Sequence, residues 1–224
     1  MQRIARIVGP VIGLAVVVVI VLRLDTNGWG SLLFLATAIS TTAIRAPFER
    51  QNKANTITRK DNESSENLLL FGVGLGGTIL PMLHLLTGLF SFADYDLPDW
   101  ATALALAGVI PGLYLFWRSH TDLGRNWSVT TEIREDHTLV TTGIYSKVRH
   151  PMYTAIWLLF GVMPLMVHNW IAGVAVIATY GVMCIVRIPR EEQMMVDTFG
   201  EEYRAYMAHT GRLVPRLRRS FGAG

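Results

Sequence analysis

The sequence contains few charged residues and a single cysteine, and each shortage excludes a class of protein. Charged residues make up 17% of the 224 residues, whereas ordinary soluble domains carry about 25%. The net charge of +3 is too small to indicate a nucleic-acid-binding protein. With Cys184 as its one cysteine, the chain can form no intramolecular disulfide, and no cysteine–histidine spacing predicts a metal site.

The hydrophobic residues form long segments that carry almost no charge. A membrane-spanning helix needs about 20 mostly apolar residues, and an ion at the bilayer centre costs at least ~2.5 kcal/mol. Residues 152–189 would make one helix about 57 Å long. A bilayer core of about 30 Å cannot hold it, so the chain is predicted to fold back at His168-Asn169-Trp170. We therefore predict an all-α, polytopic integral membrane protein of about six spans, the last two a tight hairpin: 9–24, 28–44, 68–92, 99–117 and the two arms of 152–189.

Basic residues are concentrated in the segments that alternate to one side of the predicted membrane. Segment 45–60, segment 118–149 and the tail from residue 187 are rich in arginine and lysine. On the other side, SFADYDLPDW (91–100) has three aspartates and no basic residue. Because short cytoplasmic loops carry an excess of lysine and arginine, we predict that both termini and the polar face with the candidate site are cytoplasmic.

Candidate site residues lie where the fifth predicted span begins and where the sixth ends. Pro151 suits the first position of a helix, and that helix start, beside Arg149 and His150, favours an anion. Arg187 and Glu191 are four residues apart and so share one helix face. They form either an ion pair at the membrane edge or part of a binding site. Beyond them, an apolar stripe predicts an amphipathic C-terminal helix: Met195, Phe199, Tyr203 and Tyr206.

Three stretches of the C-terminal half carry a recognisable pattern: LGRNWS (123–128), HTLVTTGIYSKVRHPMY (137–153) and RIPREEQMMVDTFGEEYRAYMAHTGRLVP (187–215). Together they resemble the isoprenylcysteine carboxyl methyltransferase family of integral membrane methyltransferases. The resemblance covers about residues 118–215. It divides the chain into N-terminal transmembrane helices 1–4 (residues 1–117) and a methyltransferase core (residues 118–224) made of a cytoplasmic loop, the helical hairpin and the tail.

The resemblance implies S-adenosylmethionine as the cofactor, held in a cytoplasmic pocket at the membrane surface. Arg187 and Glu191 are then the catalytic candidates, and Arg187 faces the methyl acceptor. Thr130 stands where the family often has an amide side chain. By motif position, the implied cofactor contacts are Thr130, His137, Thr138, Leu139, Val140, Tyr145, His150, Pro151, Met152, Tyr153 and Glu191.

The family also limits the methyl acceptor, which is expected to be lipophilic or small. A prenylcysteine-type carboxylate is the favoured acceptor, with a thiol or a phospholipid amine as alternatives. A different enzyme class, an NADPH-dependent membrane reductase of the sterol-reductase type, would need basic residues for the 2′-phosphate, and Arg125, Arg134 and Lys147 are candidates. A transporter or membrane scaffold would need ionisable residues in mid-membrane, for which only His84 and His168 qualify.

Overall fold

The computed structural model describes residues 13–52, 57–60, 63–130, 132–134 and 138–216. Most of these residues are helical, and the strands among them are two short ones, which agrees in coarse terms with the predicted all-α class. A π-helical turn, Leu75–Ile79, joins the fourth and fifth helices. The helices are α1 Gly13–Leu22, α2 Leu24–Asn27, α3 Gly30–Asn52, α4 Glu63–Gly74, α5 Leu80–Thr87, α6 Asp99–Leu104, α7 Leu106–Leu123, α8 Pro151–Gly161, α9 Ala175–Phe199 and α10 Glu201–His209.

Three helical segments are long and apolar enough to cross a membrane: Gly30–Gln51, Ser64–Thr87 and Asp99–Asn126. Each overlaps one of the predicted spans. Two further apolar helices are shorter, Gly13–Leu22 and Pro151–Leu165, and part of the first predicted span lies outside the described residues. The structure thus shows three candidate spans, and the count of six remains a prediction. The predicted boundary between residues 117 and 118 also stays untested, and α7 runs across it.

Glycines bring the apolar helices into close contact. A β-carbon at Gly76, in the π-helical turn, would lie 2.9 Å from the hydroxyl of Thr179 on α9. At Gly112 on α7 it would lie 2.7 Å from Leu159 on α8. Because helices in lipid associate mainly by close packing, small residues at such crossings let the backbones approach. These two contacts fix α9 and α8 against the earlier helices.

The predicted reversal of the chain lies between α8 and α9, and Asn169 holds it. This side chain is fully buried. Its amide nitrogen donates to the carbonyl oxygen of Phe90 and to the carboxylate of Asp94, both at 2.6 Å. Its amide oxygen accepts from the backbone N–H groups of Ile171 and Ala172. One residue thus ties the turn to the loop that follows α5.

The loops gather at two opposite ends of the helices, as their charges predict. At the aspartate-rich end, the backbone pairs Asp94 with Asn169. At the basic end, strand β1 (Ile57–Lys60) pairs antiparallel with β2 (Glu132–Arg134), and Val148 pairs with Gly211 of the tail. The two strands, residues 138–150 and the described part of the C-terminal tail therefore share one end, although which side of the membrane they face stays a prediction.

Candidate active site

One cavity of about 620 Å³ lies between α3, α4, α7, α8 and α9 at the basic end of the helices. Its volume falls within the range of small-molecule sites, about 300–1,000 Å³. His137 lies outside the described residues. Every other candidate lines this cavity: Thr130, Thr138, Leu139, Val140, Tyr145, His150, Pro151, Met152, Tyr153, Arg187 and Glu191. The structure thus brings together side chains that are spread over 62 positions of the sequence, and their individual roles stay predictions.

A tight 3₁₀ turn, Gly143–Ser146, places Tyr145 in the cavity wall. Gly143 has φ +61°, and a β-carbon there would collide with the carboxylate of Asp122. That carboxylate accepts from the backbone N–H of Ile144 at 2.8 Å. Tyr145 donates to the carbonyl oxygen of Ser119 at 3.2 Å, and burial raises the pKa of its hydroxyl far above the ordinary value. Tyr145 is therefore a neutral, fixed wall residue.

The start of α8 is anchored by the C-terminal tail. Pro151 occupies the first turn of the helix, as predicted, and no side chain caps that helix end. The backbone N–H groups of Arg149 and His150 donate to the carbonyl oxygens of Gly211 and Arg212 at 2.9 and 3.0 Å. Since the first backbone N–H groups of a helix lack partners within the helix, this end can receive an anion from the cavity.

Arg187 and Glu191 form a contact on α9, as their spacing predicts. The guanidinium of Arg187 lies 3.0 Å from the carboxylate of Glu191 and 3.3 Å from that of Glu66 on α4. Tyr153 on α8 donates to Glu191 at 2.6 Å. Arg187 also donates to the carbonyl oxygen of Val129 at 3.2 Å. Arg187 is thus shared between two carboxylates, and Glu191 receives hydrogen bonds from both α8 and α9.

The most strongly paired carboxylate belongs to Glu192, which sequence reasoning missed. It lies 3.0 Å from Arg149 and 3.3 Å from His150, and Arg212 of the tail also contacts it. Burial alone would raise the pKa of Glu192, but the hydrogen bonds from His150, Arg212 and Arg149 outweigh it and lower the pKa to about 2. The sequence did contain a sign of this role, namely two adjacent glutamates at positions 191 and 192. Because neighbouring residues on a helix point in different directions, the second glutamate is expected to have partners of its own.

The tail packs against the protein and completes the wall. α9 continues through Pro189 and ends at Gly200, whose φ is +55°. Tyr203 on α10 is buried, while Tyr206 lines the cavity and donates to the carbonyl oxygen of Tyr145 at 2.6 Å. Met195 lines the cavity as well. The apolar stripe predicted for the tail therefore covers the site.

The residues that other functions would need lie elsewhere. Neither Arg125 nor Lys147 lines the cavity, and both are exposed. The side chain of Arg134 is outside the described part of the structure. At the opposite end, His84 lies 3.3 Å from Asp94 and His168 contacts Thr102 at 3.0 Å. Within the described ranges, no group of three His, Cys, Asp or Glu side chains could hold a metal ion.

Comparison with known proteins confirms the resemblance. The model of the isoprenylcysteine carboxyl methyltransferase (ICMT) family matches residues 103–197. Protein-S-isoprenylcysteine O-methyltransferase of Mus musculus is 34% identical over 110 residues, which are 48% of this chain and 38% of that protein. Protein-S-isoprenylcysteine O-methyltransferase A of Arabidopsis thaliana is 27% identical over 164 residues, 72% of this chain and 83% of that protein.

A relative named for a different methyl acceptor also matches. Methanethiol S-methyltransferase of Pseudomonas deceptionensis is 33% identical over 88 residues, 39% of this chain and 32% of that protein. The solved eukaryotic intramembrane Ras methyltransferase ICMT aligns with a TM-score of 0.46 and 21% identity, over 69% of this chain and 53% of that one. The chain spans about two fifths of the mouse relative's length. The family match and the three apolar helices together confirm an integral membrane protein.

Proposed function

We propose that the protein transfers a methyl group from S-adenosylmethionine to a lipophilic or small acceptor at the membrane, because the model of the isoprenylcysteine carboxyl methyltransferase family matches residues 103–197. One observation carries the proposal: the motif residues that resemble the family, spread over the loop, α8 and α9, line a single cavity. The cofactor supplies an electrophilic methyl group, and the protein supplies position and electrostatics.

The chemistry of the cavity wall fits the cofactor. The uncapped start of α8, beside His150, suits the methionine carboxylate. The carboxylate of Glu191 suits the ammonium group or the ribose hydroxyls. Leu139 and Val140 offer an apolar surface for the adenine, and Tyr145 supports it as a neutral wall. Each part of the cofactor thus meets a group of complementary character.

The rest of the cavity is apolar and suits a lipophilic acceptor. Side chains of α3, α4 and α8 line it, among them Phe34, Leu70, Val73 and Phe160. The favoured acceptor is a prenylcysteine-type carboxylate, with Arg187 bordering it. A carboxylate is ionised at pH 7 and needs no general base. Transfer then depends on holding the nucleophile in line with the methyl group.

The alternative acceptors remain a thiol and a phospholipid amine. The methanethiol S-methyltransferase match favours the thiol among these. An NADPH-dependent reductase has less support, because Arg125 and Lys147 do not line the cavity. As for topology, we propose six spans with both termini and the active site cytoplasmic, supported by the clustering of the basic loops at the cavity end.

Labelled S-adenosylmethionine tests the proposal in the purified full-length protein. The wild type should bind it in preference to NADPH and transfer label to at least one of a prenylcysteine, a small thiol or a phospholipid. Glu191→Gln should weaken cofactor binding about 10- to 100-fold, because a hydrogen bond to a charged group contributes ~1.5–3 kcal/mol. Glu202→Gln, on the exposed face of α10, is the control. Preference for NADPH would contradict the proposal.

A further inference from the structure

Helix α3 forms one wall of the cavity, although it lies outside the family match. The residues that face the cavity follow helical spacing: Phe34, Thr37, Ala38, Thr41, Thr42, Arg45, Ala46 and Glu49. The hydroxyls of Thr37, Thr41 and Thr42 donate to carbonyl oxygens of their own helix at 2.7, 3.0 and 2.8 Å. The single donor of each hydroxyl is thereby used within α3, so the cation of this wall is the group open to an anionic ligand.

Arg45 is the cation of this wall. Its guanidinium carbon lies 5.6 Å from the ring centroid of Phe116 on α7. Its buried Nε has no hydrogen-bond partner in the part of the chain that the structure describes. Among the described residues, no carboxylate lies within ion-pair distance of it. Glu49, one turn further along α3, acts on it electrostatically at longer range. Arg45 is therefore held in place by an aromatic ring rather than by an anion.

The two other arginines that line the cavity, Arg149 and Arg187, are already paired with carboxylates. Arg187 lies within 3.3 Å of both Glu66 and Glu191, so its charge is already more than balanced. An incoming anion would be repelled by these two carboxylates, whereas no carboxylate of the described residues forms an ion pair with Arg45. The acceptor carboxylate therefore has a stronger electrostatic reason to approach Arg45 than Arg187.

The location of Arg45 makes an unbalanced charge costly. It lies six residues before the end of the candidate span Gly30–Gln51, about 9 Å along the helix. A charged side chain inside a membrane protein is expensive unless it is paired, and such residues mark functional sites. A carboxylate ligand would supply the missing partner, and the planar guanidinium binds carboxylates with two parallel hydrogen bonds.

Arg45 also faces the proposed cofactor site. It lines the same cavity as Tyr180 on α9 and Glu191. Tyr180 is fully buried and donates to the carbonyl oxygen of Tyr153 at 3.2 Å, and Tyr153 in turn donates to Glu191. We propose that Arg45 binds the carboxylate of the methyl acceptor and so selects acidic acceptors over neutral ones. This inference rests on the proposed methyl transfer and deepens it.

The test compares acceptors in the full-length protein reconstituted in lipid. Arg45→Gln should raise KM for a prenylcysteine with a free carboxylate about 10- to 100-fold, the range expected for loss of a charge-assisted hydrogen bond. KM for methanethiol and Kd for S-adenosylmethionine should stay unchanged, which also shows that the variant is folded. Arg45→Lys should recover part of the loss. Arg50→Gln, on the exposed end of α3, is the matched control.

Two sets of results would overturn the inference. If the wild type transfers the methyl group, three outcomes would overturn the role of Arg45 and leave the proposed function standing. The KM of Arg45→Gln for the carboxylate acceptor could be unchanged, or its KM could rise equally for the carboxylate and the thiol. The third outcome is a wild type that methylates only thiols. Failure of the wild type to bind S-adenosylmethionine would overturn the proposed function, and this inference with it.

Discussion

Replacing Glu192 by glutamine tests whether its ion pairs with Arg149, His150 and Arg212, here called the tail clamp, stabilise the candidate site. The side chain of Glu192 is 6% exposed and that of Arg149 is 8% exposed. Glutamine keeps the shape and removes the charge. Arg149 and His150 would then be left beside a neutral amide, and the backbone contacts that anchor the start of α8 to Gly211 and Arg212 would loosen.

The magnitude follows from the acidity of Glu192. Its pKa falls from the ordinary 4.5 to about 2, and each tenfold change in acidity corresponds to ~1.36 kcal/mol, so its ionised form stabilises the fold by about 3 kcal/mol. Removing one partner of a buried pair costs ~3–5 kcal/mol. Arg212 contributes less, because its side chain is 51% exposed and exposed ion pairs are weak. We expect a loss of about 3 kcal/mol.

Thermal unfolding in detergent, followed by tryptophan fluorescence, measures the effect. Roughly 2–4 °C per kcal/mol is expected for a chain of this size, so Glu192→Gln should lower Tm by about 6–12 °C at pH 7. Because the pKa of Glu192 is lower in the folded state, its stabilisation is complete above pH about 5 and is lost as pH falls toward 2. The Tm difference should therefore shrink below pH 4.5. A shift no larger than that of Glu202→Gln, or one that persists unchanged at low pH, would refute the reasoning.

Two further substitutions test how turns position the site and the hairpin. Gly143→Ala should destabilise the protein by more than about 1 kcal/mol, because alanine is strained at φ +61° and its β-carbon meets the Asp122 carboxylate. The same thermal unfolding assay measures this loss. Gly161→Ala is the control, because a β-carbon there meets nothing within 4 Å. Asn169→Ala should lower stability by about 2 kcal/mol or more, since it removes four hydrogen bonds made by a fully buried side chain. Faster proteolysis between α8 and α9 should accompany the loss. An unchanged digestion rate would contradict the role given to Asn169.

The sequence predicted those features that depend on local spacing. Proline at position 151 predicts a helix start, and the structure begins α8 there. Arg187 and Glu191 share a face because they are four apart on one helix, and they lie 3.0 Å apart. The reversal near Asn169 follows because a single helix of the 38 residues 152–189 would be longer than a bilayer is thick. Such features need no knowledge of how distant elements pack.

Features that depend on tertiary packing were beyond sequence reasoning. Arg45 reads as one of several basic residues after the second predicted span, and only the placement of α3 beside α7 shows that it enters the cavity over Phe116. Glu66 precedes the third predicted span in the sequence, and only the packing of α4 on α9 places it 3.3 Å from Arg187. The β1–β2 pairing joins segments about 75 positions apart, so no local pattern could indicate it.

The two adjacent glutamates of α9 link these observations. Successive helix residues are rotated by about 100°, so Glu191 and Glu192 reach different partners from one backbone position. Glu191 faces the cavity and contacts Tyr153 and Arg187, whereas Glu192 faces the tail and contacts Arg149 and Arg212. The proposed binding of an ammonium group at Glu191 and the ion pairs of Glu192 with Arg149 and Arg212 therefore lie on the same helical turn. If the proposed cofactor site is correct, loss of the Glu192 ion pairs should weaken cofactor binding even though Glu192 does not line the cavity.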